Sequence, residues 1–449
     1  FCVIQKTKHI YVYIFIKEDN MTALMLMALA VSIGLGYKTK INIGFFTIAF
    51  AYLIGCFGMG LKPSEVIELW PVKIFFIILS VTLFYNFALA NGALEKLASH
   101  LLYKCRKFPQ FLPLAIFFAA TIIAGLGAGF YTVLAFMAPI TLLLCKKTNM
   151  NMIIGGMAAN YGALAGANFM TSQSGIIFRS LMENTGISSQ TAFSYSSGIF
   201  VLTLIIPIAV LGIYTLWNRK SNSIVIEDQK PEPFDKKQKQ SIFLIILMMS
   251  IVLVFPILHL VFPDVKTISF LNSKIDIAFL AITFSLISLL MKLADEKKVI
   301  ALVPWGTLIM ICGVGMLIAL GVKLGIITTL SEWLANNVPV WVIPVLLCLI
   351  SAIMSVFSST LGVVAPTLFP IVPALALTSG LNPLVLFICI VVGAQSTAIS
   401  PFSSGGSLIM ASAPADIDKT KFFNQLLFKA IPVGVIAALI AIFALKFVM

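Results

Sequence analysis

Residues 393–406 read Gly-Ala-Gln-Ser-Thr-Ala-Ile-Ser-Pro-Phe-Ser-Ser-Gly-Gly and interrupt an otherwise apolar region, 384–411. Glycine and proline weaken a helix, and the backbone groups that a break frees cannot stay unpaired in lipid. Such a break is therefore expected only where protein or a cavity surrounds it. In transporters, a broken helix of this kind marks the binding site.

A second stretch with the same pattern lies 231 residues upstream. At this offset the pairs are Gly162 and Gly393, Ser172 and Ser403, Gly175 and Gly406, Pro113 and Pro344, Pro139 and Pro370, and Asn151 and Asn382. Further upstream the offset becomes 233, which pairs Pro71 with Pro304 and Gly92 with Gly325. A register held over so long a span indicates an internal duplication.

The composition is that of a polytopic membrane protein, because 60% of the residues are hydrophobic and only 10% are charged. The net charge of +13 does not indicate nucleic acid, because the basic residues lie in short loops between apolar runs. The seven cysteines form no CxxC pair, and the three histidines have no metal-ligand spacing. With no catalytic constellation either, the sequence favours neither an enzyme nor a receptor, and it predicts no cofactor beyond possible sodium ions.

The fold class that we expect is all-α, with two inverted repeats that each contain a re-entrant helical hairpin and a broken transmembrane helix. A spanning helix needs about 20 apolar residues. The candidates are roughly 22–37, 42–61, 72–93, 151–182 (broken), 193–217, 241–262, 275–293, 302–322, 382–413 (broken) and 424–448.

Two further apolar blocks, 109–145 and 340–377, are divided by small or hydroxyl residues at 125–129 and 358–362. Each half has about 15 residues, which is short of a full span. We interpret both blocks as re-entrant hairpins whose tips reach the membrane interior. Two ordinary short spans joined by a tight turn are the alternative.

The basic loops indicate which face is cytoplasmic, since Lys and Arg accumulate on that side. If both hairpins return to the side from which they enter, most basic residues fall on one face and the two copies are inverted. The predicted units are an N-terminal extension at 1–20 that is possibly not native, a first repeat at 21–217, a cytoplasmic linker at 218–240 and a second repeat at 241–449. The predicted location is the plasma membrane.

The seventeen acidic residues lie in loops or at helix ends, so no carboxylate is expected within a span. This argues against a carboxylate proton relay and against a cationic substrate bound by side-chain charge. Helix N-termini at the breaks suit an anion, and exposed carbonyl oxygens suit sodium. The pattern therefore indicates a small anion that is transported together with cations.

The hydroxyls, amides and glycines of the tips and breaks are the candidate site residues, and Tyr131, Ser174 and Ser403 are among them. For substrate binding they are Ser358, Ser359, Thr360, Gln395, Ser396, Thr397, Ser400, Thr132, Asn168 and Ser172. For ion binding they are Gly127, Gly129, Gly166, Asn168, Thr360, Gly362, Ser396 and Thr397. Any single hydroxyl could instead bond back to its own helix. Arg179, near the outer end of the first broken helix, could snorkel or attract anions.

These residues resemble the ion transporter superfamily that contains the divalent anion–sodium symporters, and more closely its malonate/dicarboxylate carrier branch. The stretches that carry the resemblance are Lys40–Gly44, Asn91–Leu97, Gly125–Pro139, Gly175–Ile177, Pro304–Thr307, Gly313–Gly315, Ser396–Thr397 and Ser400–Ser403. In that family, Ser-Asn-Thr motifs at the hairpin tips coordinate substrate carboxylate and sodium. Ser358–Thr360 is similar to this motif, whereas the first tip at 127–131 has neither Ser nor Asn.

The resemblance implies a sodium-coupled secondary transporter of a dicarboxylate, which works as a homodimer by an elevator-type motion. The alternative is a carrier of an inorganic oxyanion or another carboxylate that is coupled to protons or acts as an exporter. The expected partners are the substrate anion, the lipid bilayer and a second copy of the chain.

Overall fold

The computed structural model describes residues 18–105, 111–217, 231–262, 265–414 and 416–445. Almost all of the N-terminal extension and most of the linker, 218–230, lie outside these residues. The described part is helical, with no strand among those residues. The predicted all-α class is confirmed.

The helices before the linker are short or interrupted at several places. They are α1 Glu18–Thr39, α2 Ile43–Tyr52, α3 Pro63–Ile67, α4 Val72–Ala90, α5 Ala93–Cys105, α6 Leu112–Ile123, α7 Phe130–Thr148, α8 Met152–Ala167, α9 Gln173–Asn184 and α10 Ser189–Trp217. A π-helical turn, Leu53–Gly58, continues α2, and another, Ala124–Ala128, follows α6.

The helices after the linker repeat much of this order. They are α11 Lys236–Val261, α12 Lys266–Lys274, α13 Ile277–Leu290, α14 Glu296–Ala301, α15 Trp305–Lys323, α16 Ile326–Asn337, α17 Ile343–Phe357, α18 Ala365–Leu368, α19 Ile371–Ser379, α20 Pro383–Ser396, α21 Ser404–Ala411, α22 Lys419–Gln425 and α23 Ile431–Leu445. The π-helical turns Thr360–Val364 and Leu426–Ala430 lead into α18 and α23.

Six helices of the described part are long and apolar enough to cross a membrane, and two bent pairs would raise this number to eight. The six include α4, α7, α10 and α15. The polytopic prediction is therefore confirmed. With 19 residues, α7 is longer than the arm of about 15 residues that the sequence predicted for the first hairpin.

Local backbone geometry recurs at the positions that the sequence register pairs. The pairs are Pro71 and Pro304, which cap α4 and α15; Gly92 and Gly325, which both have positive φ; Asn149 and Gly380, which are left-handed and end α7 and α19; and Asn151 and Asn382, whose side chains cap α8 and α20. These residues impose the same turns in both halves, because each conformation depends on the residue type.

Glycines bring each broken helix close to the hairpin beside it. A Cβ at Gly162 of α8 would collide with the Phe117 carbonyl of α6, and a Cβ at Gly393 of α20 would collide with the Cys348 carbonyl of α17. The absence of a side chain lets the backbones approach, as is common between membrane helices. This close packing places the breaks next to the hairpin tips.

Candidate functional site

Two helices are broken at the positions that the sequence indicated. The first break, residues 168–172, separates α8 from α9, and the second break, residues 397–403, separates α20 from α21. The interruption predicted at 393–406 is confirmed but is narrower, because residues 393–396 still belong to α20.

The two breaks are stabilised by different hydrogen bonds. Ser403 caps α21: its Oγ accepts from the Gly406 amide at 3.2 Å and donates to the Ala398 carbonyl at 2.7 Å. At the equivalent position, the Ser172 hydroxyl donates to the Ala124 carbonyl at 2.6 Å. Ser172 thus ties the first break to the first hairpin, whereas Ser403 stabilises the helix that follows the second break.

The first hairpin tip, residues 124–130, is built from glycines that turn the chain. Gly127 and Gly129 have φ of 94° and 74°, in the region that favours glycine. A Cβ at Gly127 would collide with the ring of Tyr85 from α4, and a Cβ at Gly129 with the side-chain amide of Gln173. The Tyr85 hydroxyl donates to the Thr171 carbonyl of the first break at 3.0 Å. Protein side chains therefore fill the space at this tip.

The second hairpin tip, residues 358–364, presents hydroxyls instead. The Ser359 Oγ accepts from the Gly362 amide at 3.2 Å, and the Ser358 hydroxyl donates to the Met354 carbonyl at 2.6 Å. Thr397 of the second break donates to the Ala352 carbonyl at 2.8 Å and so joins the break to this hairpin.

A small pocket, which we call the central pocket, is lined by the second tip, the second break and the helices that flank the first tip and the first break. Its polar lining residues are Tyr131, Ser174, Ser355, Ser358, Ser359, Thr360, Gln395 and Ser403, and Gly405 contributes backbone. The Tyr131 hydroxyl from α7 and the Ser359 Oγ from the second tip lie 3.2 Å apart. The two halves of the chain thus build one site.

The first turns of α9 and α21 both reach the central pocket. Ser174 is the second residue of α9 and Gly405 is the second residue of α21, and the two positions are paired by the 231-residue register. The N-terminal end of a helix carries free N–H groups and a partial positive charge. Two such ends favour an anion between them.

A reciprocal pair of amides joins the two broken helices. Asn168 Nδ2 donates to Gln395 Oε1 and Gln395 Nε2 donates to Asn168 Oδ1, both at 3.0 Å. Asn168 also donates to the Thr203 hydroxyl at 3.0 Å and is fully buried. Of the two amides, only Gln395 lines the central pocket, so Asn168 positions it from behind.

The structure brings together some of the sequence-predicted residues and leaves others outside the lining. Ser358, Ser359, Thr360 and Gln395 line the central pocket. The others do not line it: Thr132, Asn168, Ser172, Ser396, Thr397, Ser400, Gly127, Gly129, Gly166 and Gly362. Ser396 faces the next cavity, which is mostly apolar, and its hydroxyl bonds back to the Gly393 carbonyl at 2.7 Å.

Two residues near the pocket were missed by the sequence analysis. Ser355 lies one turn before the second tip and lines the pocket. Asn160 of α8 is fully buried, and neither Nδ2 nor Oδ1 has a hydrogen-bond partner. An amide in the middle of a helix that is otherwise mostly apolar was the available signal for Asn160.

No charged side chain lines the central pocket. Among the described residues, no group of three His, Cys, Asp or Glu could hold a metal ion. Four aspartates instead cap helices, namely Asp235, Asp276, Asp295 and Asp418. Ligand binding here would depend on hydroxyls, amides and main-chain dipoles.

Residues 20–167, about a third of the chain, match the family model described as dicarboxylate carrier protein MatC N-terminus. The resemblance to the dicarboxylate carriers is confirmed. This family match indicates a transporter rather than an enzyme. No curated protein sequence matches the chain.

The carrier-like chain also matches a solved structure, the YdaH transporter of Alcanivorax borkumensis, whose description notes an unusual topology. The TM-score is 0.56, and the alignment covers 96% of this chain and 98% of that one at 15% identity. At this identity the likeness shows a shared polytopic helical fold. The length of the alignment shows that the fold extends well beyond the residues that the family model matches.

Proposed function

We propose that the chain is a secondary transporter that moves a small dicarboxylate, of the malonate or C4 type, together with sodium. The observation that carries this proposal is the central pocket, where two helix N-termini and two hairpin tips meet without a charged side chain. The helix N-termini suit carboxylate oxygens, and nearby carbonyl oxygens suit sodium. The match of residues 20–167 to dicarboxylate carriers supports the substrate class.

An elevator-type motion of the hairpins and broken helices is part of the proposal. Tyr131 lines both the central pocket and a second cavity that includes Lys40, Asn42 and Phe402. The basic loops support a cytoplasmic position for this second cavity. We therefore interpret the conformation as inward-facing, with Tyr131 between the site and the cytoplasm.

The duplication, the inverted orientation and the homodimer belong to the same proposal. The recurring caps and glycine contacts at paired positions support the duplication. The plasma membrane is the proposed location, with the linker on the cytoplasmic side. Size measurement of the purified protein in detergent tests the dimer, and a monomer would contradict it.

Uptake into proteoliposomes tests the function. Labelled malonate, succinate, acetate and sulfate are compared under a sodium gradient, under a pH gradient and with no gradient. We expect saturable uptake of a dicarboxylate that the sodium gradient drives. Uptake under the pH gradient alone would indicate a proton-coupled carrier, sulfate uptake alone would indicate an oxyanion carrier, and no carboxylate uptake would contradict the proposal.

A matched pair of variants connects this activity to the site. Ser359→Ala removes the hydroxyl that contacts Tyr131, and we expect uptake to fall about tenfold or more, as for loss of a hydrogen bond to a charged group. Ser351→Ala, in the same hairpin, removes a buried hydroxyl that bonds only to the Leu347 carbonyl, and uptake should change little. Equal uptake by both variants would remove Ser359 from the site.

A further inference from the structure

A polar cavity separate from the central pocket lies near the other end of α9. Its lining includes Lys73 from α4, Arg179 and Glu183 from α9, Gln190 from α10, and Asn272 and Asp276 at α12 and α13. No residue lines both this cavity and the central pocket. We call it the Arg179 cavity.

Three of the four charged groups in the Arg179 cavity are already engaged. Lys73 Nζ and Glu183 Oε2 form an ion pair at 2.6 Å. Asp276 Oδ1 accepts from the Ala278 and Phe279 amides at 2.9 and 3.0 Å and thus caps α13. Of the four charged groups, only the guanidinium of Arg179 remains without such a contact.

Among the described residues, Arg179 forms no ion pair, although the carboxylates of Glu183 and Asp276 line the same cavity and act on its charge from a longer distance. Its Nε is buried without a hydrogen-bond partner, and the ion pairs of the described part do not include it. The guanidinium lies over the ring of Phe193, with Cζ 5.1 Å from the ring centroid. Such stacking orients the planar group without neutralising its charge.

The surroundings of Arg179 suit a carboxylate. A guanidinium binds a carboxylate through two parallel hydrogen bonds, and an unpaired buried charge is costly. Ser180, Gln190 and Asn272 add hydrogen-bond donors around the same space, while Ile77 and Val252 form apolar walls. A small organic anion with a short carbon chain matches this lining better than a bare inorganic ion does.

We propose that the Arg179 cavity is a second binding site, which takes a small carboxylate through the Arg179 guanidinium. It lies between α9–α10 and α4–α12–α13. Binding at this site does not require that the central pocket transports anything.

Equilibrium binding of labelled malonate to the purified full-length chain in detergent tests the proposal. We expect two malonates per wild-type chain, one per chain in Arg179→Gln, and weakened binding at one site in Arg179→Lys. Lys323→Gln removes an exposed positive charge that lines neither the Arg179 cavity nor the central pocket, and it should keep both sites. Unchanged stoichiometry and affinity in Arg179→Gln, or the same loss in Lys323→Gln, would overturn the proposal.

Two further variants test the Arg179 site if Arg179→Gln does not fold, and distinguish binding there from binding in the central pocket. Gln190→Ala changes an exposed side chain in the first turn of α10, and it should weaken the Arg179 site several-fold if Arg179→Gln does not fold. Ser359→Ala affects only the central pocket and should retain one malonate. If Ser359→Ala abolished all binding while both cavity variants kept wild-type binding, the second site would not exist.

Discussion

The side-chain amide of Asn160 requires hydrogen-bond partners that the surrounding protein does not supply. Asn160 is fully buried, and both polar atoms of its amide lack a partner. Its Oδ1 lies 3.1 Å from the position that a Cβ on Gly405 would take, next to the first turn of α21 and the central pocket. Leaving a buried amide unpaired costs about 1–3 kcal/mol. Because this amide lowers stability, we expect it to serve transport rather than folding.

We expect Asn160→Val to reduce transport without reducing stability. The register places Val391 at the corresponding position of the second half, so valine suits this helical environment. Removing the unpaired amide should leave the free energy of unfolding unchanged or raise it by about 1 kcal/mol. Initial rates of uptake should nevertheless fall about tenfold, equivalent to about 1.4 kcal/mol. Thermal unfolding and proteoliposome uptake measure the two effects.

Asn168→Val is the control for this prediction. Asn168 is also a buried amide of the first half, but it is paired with Gln395 and Thr203. Its loss leaves those partners unsatisfied and should lower stability by about 1–3 kcal/mol. Wild-type uptake by Asn160→Val would show that its amide has no part in transport.

Some residues of the site could not be predicted because their contacts join distant parts of the chain. Tyr85 lies in α4, yet its ring fills the space beside Gly127 and its hydroxyl donates to the Thr171 carbonyl. Nothing in the sequence around Tyr85 indicates this contact. The hydroxyls at 358–360 could be predicted, because polar residues at the tip of an apolar hairpin have few other roles.

At the scale of elements, the glycines of the broken helices have two separate roles that the sequence does not distinguish. Gly393 was expected to help break its helix, but it lies within α20 and lets the Cys348 carbonyl approach. Gly127 and Gly129 do turn the chain, as their positive φ shows. The position of the break was therefore predicted correctly, but the predicted break included too many residues. A glycine in a membrane helix can allow close packing as well as a turn.

Replacing a packing glycine should loosen a hairpin from its broken helix. In Gly162→Ala, the new methyl group would collide with the Phe117 carbonyl, which is backbone and cannot move away easily. We expect a loss of about 1–3 kcal/mol in stability, as for other overpacked sites. The midpoint of thermal unfolding in detergent measures the loss.

Gly212→Ala is the matched control, because Gly212 lies within α10 and a Cβ there would meet nothing within 4 Å. Since glycine weakens a helix relative to alanine, this variant should gain up to about 1 kcal/mol. If Gly162→Ala were as stable as Gly212→Ala, the close approach of α8 and α6 would have to be wrong.

For the whole molecule, the central pocket depends on both halves of the chain at once. Tyr131 and Ser174 come from the first half, and Ser359, Gln395 and Gly405 come from the second. Neither half could form the site alone, so the duplication would be functional only when both copies are present. The register between the two halves predicted this arrangement, because equivalent turns and caps give both halves the same backbone path.

The opposite orientation of the two halves remains a prediction, and cysteine labelling tests it. Lys147 and Thr378 are exposed and lie at equivalent positions, 231 residues apart, near the ends of α7 and α19. In a cysteine-free background, we expect a membrane-impermeant maleimide added to intact cells to label Thr378→Cys but not Lys147→Cys. After permeabilisation both should react, and Lys297→Cys should behave like Lys147→Cys because it lies in a basic loop. Labelling of both sites from one side would mean that the halves are parallel, and helix N-termini from two inverted copies could then not converge on one anion.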